Sequence, residues 1–144
     1  MRTRNSVSVN SRAAFSAGIA YTIAVFLFAF AVGAIRVTLV VPRLGPLLAV
    51  IIEAPIVLAA GWLASLWCTR HFDVGRDAAA RILMGTVAFT FLMLLELGFS
   101  VFVFGEPVGH YFAKYLSKPG VIGLVMQGCF AILPWVQCHL PARA

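Results

Sequence analysis

Two carboxylates stand inside long apolar stretches of this 144-residue chain, Glu53 in the run 47–67 and Glu96 in the run 82–104. A charged side chain in apolar surroundings is costly, so such a group needs either a partner or a task. Three uses follow from the chemistry. Paired with an arginine, a carboxylate fixes the register of two helices. Unpaired, it is driven towards its neutral form by the low dielectric and can exchange a proton or receive a cationic substrate. A third use is contact with a partner protein. Arg36 and Gln127 are the polar residues placed to keep these carboxylates company.

Their depths agree. In antiparallel helices rising 1.5 Å per residue, Glu53 lies about 10 Å from its helix end, Glu96 about 12 Å and Gln127 about 9 Å, all measured from the same side. Arg36 lies about 7 Å below the end of the first helix if that helix runs to Val41, and its side chain is long enough to reach a carboxylate. One residue from each of four helices therefore converges on one layer. Pro55 removes a helical hydrogen bond and frees the carbonyl of Ile51 beside Glu53, so a kink is expected there, and a second at Pro134.

The elements that carry this layer follow from composition. The chain is 62% apolar and 11% charged, against about 45–50% and about 25% in an ordinary soluble domain. Four helices of about 20 residues need about 80 residues, which leaves room for short loops. The apolar runs predict helices at 13–41, 47–67, 82–104 and 121–138. Residues 1–12, with Arg2, Arg4 and Arg12, read as a mobile polar tail. Ala29-Phe30-Ala31 has the form of a leader-peptide cleavage site, but the run around it exceeds the 7–15 apolar residues of a typical leader core, so an uncleaved helix is expected. Pro42, Arg43, Gly45 and Pro46 form a turn between the first two helices, and Pro42 is expected to end the first of them. The stretch 105–120, with Tyr111, Phe112 and Tyr115 among Glu106, His110, Lys114 and Lys118, is expected to lie as a short amphipathic turn on the membrane surface. Ala29/Gly33 and Gly61/Ser65 are small-residue pairs that permit close helix approach. The expectation is an all-α, integral-membrane four-helix bundle with short loops, in one membrane domain.

The charges exclude other classes. Eleven Lys and Arg against five acids give a net charge of +6, but they are scattered between apolar runs rather than gathered in a stripe, which argues against a nucleic-acid partner. Seven of the basic residues fall on the side of the termini and the middle loop. Arg36, Arg43, Lys114 and Lys118 fall on the other, which predicts cytoplasmic termini. Cys68, Cys129 and Cys138 show no metal-ligand or redox spacing. His71 and His110 fall on opposite sides of the membrane, so haem or metal ligation in the bundle is not expected. No Ser/His/Asp arrangement or phosphate loop is present, so neither enzyme activity nor a cofactor is expected.

The segment Arg36-Val37, Pro42-Arg43-Leu44-Gly45 and Glu53-Ala54-Pro55, with the pattern R-V-x4-P-R-x-G-x7-E-x-P, resembles one found in small multi-pass inner-membrane proteins of bacteria with no assigned activity. The likeness covers the first two spans and implies an inner-membrane location. The small multidrug-resistance exporters are a further four-helix comparison, but they carry their essential carboxylate in the first helix, where this chain has none. The leading expectation is a structural or accessory membrane component, in contact with the lipid bilayer and with a membrane-protein partner or further copies of itself. The alternative is a small oligomeric transporter, proton-coupled or cation-handling, that uses Glu53 and Glu96.

Overall fold

The computed structural model describes residues 3–141, with side chains from residue 11 onward. Arg2, Arg4 and Arg143, counted in the charge balance, lie outside the described side chains. All regular structure among the described residues is helical. Helix α1 spans Thr3–Ile35 and continues through a π-helical turn, Arg36–Val40, into α2, Val41–His71. Helix α3, Ala78–Gly98, ends in a second π turn, Phe99–Val103. A short α4, Val108–Ala113, and a 3-10 turn, Lys114–Leu116, lead into α5, Lys118–His139. The starts of α3 and α5 have local causes. Asp77 accepts from the backbone N–H of Ala80, and Ser117 accepts from that of Gly120 with Pro119 in the first turn.

Helix α1 begins at Thr3 rather than at residue 13, since no glycine or proline interrupts the polar tail. Ser11–His71 reads by length and composition as one apolar stretch of 61 residues, and with Ala78–Val103 and Lys118–His139 it makes three helices long and apolar enough to cross a membrane. The first is not straight. Gly45 adopts φ 79°, ψ 164°, a conformation a side chain would resist. In a straight helix Arg36 and Glu53 would stand about 25 Å apart, yet their side chains meet at 2.6 Å. The chain thus folds back on itself at Gly45.

This corrects the expected turn. Instead of irregular backbone over Pro42, Arg43, Gly45 and Pro46, the helix passes through Pro42 and Arg43, breaks at Gly45 alone and resumes at Pro46. Pro42 does not end α1, because the preceding turn is widened. The N–H of Val41 bonds the carbonyl of Arg36, five residues back, which eases the clash between a proline ring and the carbonyl four residues earlier. Side chains cover nearby carbonyls, Thr38 Oγ1 donating to Ala34 at 2.8 Å and Arg43 Nη1 to Leu39 at 2.6 Å. Pro55 and Pro134 sit within backbone that stays helical, so neither expected kink breaks its helix. Proline already holds a helical φ, and its cost is confined to the bond it omits.

The four long helices form a closed ring in the order α1, α2, α5, α3. Opposed residues give their directions. Arg36 meets Glu53 and Tyr21 approaches Gly61, so α1 and α2 run antiparallel. Gly85 faces Ala131 and Glu96 meets Gln127, so α3 and α5 do likewise. The two hairpins lie side by side with α1 parallel to α3 and α2 parallel to α5. Because α2 and α3 stand across the diagonal, the connection 72–77 must pass beneath the bundle. Val74 is buried there, and the largely buried Arg81 donates to the carbonyls of Gly75 at 2.9 Å and Val74 at 3.2 Å. Arg76 adds a bond to the carbonyl of Leu140, the residue that follows α5. The terminal end of the bundle is closed.

Packing is the reverse of a water-soluble bundle. Small or polar residues fill the interior, among them Ala14, Ala17, Thr22, Ser65, Ala80 and Ala88, while Leu27, Leu63, Leu94 and Val125 stand exposed. Small interior residues let backbones approach, and polar ones bond across helices. Tyr21 donates to the carbonyl of Phe130 at 3.0 Å, Thr22 to that of Ala88 at 3.0 Å, and Ser65 to Gln137 Oε1 at 2.8 Å. Gln137 in turn donates to the carbonyl of Trp62 at 2.9 Å. Of the expected small-residue pairs, Gly61 and Ser65 are buried in the α2–α5 contact, while Ala29 and Gly33 border a cavity.

Candidate functional site

Above the stacked rings of Tyr21 and Phe130, whose centroids are 4.3 Å apart, the four helices part towards the Gly45 end. They leave a cavity of about 870 Å³. Each long helix supplies apolar wall, as with Phe30 on α1, Leu58 on α2, Leu92 on α3 and Met126 on α5. Both π turns border it through Arg36 and Ser100. A π turn offsets the side chains that follow and is frequent where a helix serves a site.

Polar groups on the walls fall into two clusters. On the α1–α2 side, Arg36 Nε lies 2.6 Å from Glu53 Oε2, with the Glu53 side chain 15% exposed. The ion pair ties together the two arms of the hairpin just below the fold at Gly45. On the α3–α5 side, Gln127 Nε2 donates to Glu96 Oε1 at 2.8 Å. The hydroxyls of Tyr115 and Tyr111 reach Glu96 Oε2 at 3.3 and 3.5 Å, and bond each other at 2.9 Å. Lys114 Nζ stands 4.0 Å from the same oxygen and 4.1 Å from the centroid of the Tyr111 ring. At the rim, Ser100 donates to the carboxylate of Glu106 at 2.9 Å.

Arg36, Glu53, Glu96 and Gln127 all line this one cavity. They meet as two pairs, Arg36 with Glu53 and Glu96 with Gln127, rather than as a single four-way contact. Burial pushes the Tyr111 and Tyr115 phenols above their ordinary value, and for both the Glu96 charge adds to the shift. Each therefore stays protonated at neutral pH and serves as a donor. Glu96 faces three uncharged donors and one ammonium.

Most of the stretch 105–120 is exposed, as a surface turn requires, but one of its aromatic rings turns inward. Tyr111 is 1% exposed and turned into the bundle, so α4 caps the hairpin end beside the cavity. The phenol gains a carboxylate partner by turning inward, while Val108, Phe112 and Leu116 stay exposed. Sequence reasoning thus missed Tyr111, Tyr115 and Lys114 as partners of Glu96. Their i, i+3 and i, i+4 spacing, which puts three side chains on one helical face, was the available signal. It also passed over Gln137, which links the Ser65 hydroxyl to the Trp62 carbonyl, and Arg81, whose partners are backbone carbonyls that no sequence pattern marks.

Among the described residues no group of three or more His, Cys, Asp or Glu side chains is placed to hold a metal ion. No protein-family model matches the chain, and no curated protein or solved structure is significantly similar to it.

Proposed function

We propose that the chain is a four-span integral protein of the bacterial inner membrane, with both termini cytoplasmic, acting as a structural or accessory component that maintains a largely apolar cavity with paired polar groups in the outer leaflet. The observation that carries this reading is the pairing of each intramembrane carboxylate with a residue from a neighbouring helix, Glu53 with Arg36 and Glu96 with Gln127. Such pairs hold helix register at modest net energy. Apolar outward faces and the basic excess at the terminal end support the membrane setting and the orientation.

A second reading, an oligomeric cation-handling transporter, draws on one observation. Glu53 and Glu96 line the same cavity, and only Glu53 has an arginine at contact distance. Replacing each carboxylate separately by glutamine distinguishes the two. In the accessory reading Glu53→Gln and Glu96→Gln lower the amount of folded protein in the membrane fraction. If that amount is unchanged while a pH-dependent transport or resistance phenotype is lost, the accessory reading fails.

A further inference from the structure

Lys114 carries its ammonium into an unusual setting. Nζ lies 4.1 Å from the centroid of the Tyr111 ring, 5.3 Å from that of Tyr115 and 4.0 Å from Glu96 Oε2. The two rings stand nearly perpendicular, at 89°, so they form two walls of a corner with the carboxylate at its base. Aromatic faces around an anion are the chemistry that recognises an organic ammonium group, since ring quadrupoles attract a cation they need not coordinate. We infer that this corner is an ammonium-binding site that Lys114 occupies from within the chain, and that it takes the cationic head of a single-chain amphiphile whose tail fills the adjoining cavity.

Charge, reach and shape support the assignment. The cavity walls carry Glu53, Glu96 and Glu106 against Arg36 and Lys114. Arg36 is committed to Glu53, so when Lys114 leaves, Glu96 has no ion-pair partner among the described residues. The lysine is 46% exposed and sits on a flexible four-carbon stem, so its ammonium can exchange the corner for water. Glu96, Lys114 and Tyr115 all border the same cavity, whose remaining walls are largely apolar, as at Phe26, Phe30 and Phe99. A small inorganic cation would gain nothing from such walls, whereas an alkyl chain is matched to them.

The inference rests on the membrane reading, because the cavity must be reachable by a molecule dissolved in lipid. The test uses the full chain in nanodiscs of neutral phosphatidylcholine, with radiolabelled decyltrimethylammonium as probe, 1-decanol as uncharged competitor and empty discs subtracted. Saturable binding is expected, with Lys114→Gln tightening it about tenfold by removing the internal competitor. Glu96→Gln abolishes it, and 1-decanol competes weakly. Should Glu96→Gln fail to fold, Tyr115→Leu keeps the carboxylate, removes one wall and weakens binding several-fold. Unchanged or weaker binding by Lys114→Gln overturns the site, as does equal competition by 1-decanol. Failure of the membrane reading looks different, the chain then being recovered in the aqueous fraction and never entering the discs.

Discussion

Replacing Gly85 by alanine puts a methyl group where α3 and α5 come closest. A Cβ at that position would lie 2.0 Å from the carbonyl oxygen of Ala131 and 3.1 Å from its carbonyl carbon. An ordinary carbon–oxygen contact is about 3.3 Å, so the two backbones must part by more than about 1 Å. Overpacking of this kind costs about 1–3 kcal/mol, and alanine returns about 0.5–1 kcal/mol through its better helix propensity. The net loss is on the order of 1–2 kcal/mol, a fall in Tm of about 3–6 °C for a chain of this size. Gly128 in α5 is the matched control, because nothing lies within 4 Å of a Cβ built there. Gly128→Ala should therefore raise stability by about 0.5–1 kcal/mol. Cys68 supplies the readout, being fully buried in the bundle while Cys129 is exposed. With Cys129 and Cys138 changed to serine, a thiol-reactive fluorescent dye reports the temperature at which Cys68 opens to solvent. If Gly85→Ala melts at or above its parent, the close α3–α5 approach, and the ring order built on it, are wrong.

Two further outcomes follow from the polar groups. Arg36→Gln leaves Glu53 largely buried without its cation and should cost about 2–3 kcal/mol, whereas Arg36→Gln with Glu53→Gln should recover at least half of that loss in the same melting assay; additive losses would show that the pair is not coupled. The Tyr111 and Tyr115 phenols are raised above their ordinary value, so the folded state holds these protons more tightly than the unfolded chain. Their contribution to stability is complete below the unfolded phenol value of about 10 and declines above it. Melting temperature should stay level from pH 7 to about pH 9 and then fall, and Tyr111→Phe should flatten the fall; an equally steep decline in that variant refutes the buried phenol.

Much of the layer was legible because long apolar runs make a charged or amide side chain conspicuous. Glu53, Glu96, Arg36 and Gln127 stand out against apolar runs, and a rise of 1.5 Å per residue is enough to compare their depths. The chain reversal was legible too, but not its economy. Two prolines and a glycine read as a five-residue turn, and only the hydrogen-bond register of Arg36–Val40 explains why Gly45 alone bends the chain. Tyr111 and Tyr115 were read as surface residues rather than as partners of Glu96 because α4 is six residues long, too short for a periodic pattern to reveal which face turns inward. Gly85 was one glycine among twelve. Its role depends on the α3–α5 neighbour relation, which arises from the ring order rather than from any local signal.

The diagonal passage of residues 72–77 makes the two ends of the molecule mechanically unequal. One end is laced shut by Arg81, by the Arg76–Leu140 bond and by Ser65 and Gln137 between α2 and α5. At the opposite end the polar ties lie within each hairpin, Arg36–Glu53 on one side and Glu96–Gln127 on the other, and the contacts of Phe26 and Phe30 with Phe99 between the hairpins are apolar. Spreading of the hairpins would thus pivot like a clothes-peg about the laced end, widening the jaws without loosening the grip behind them.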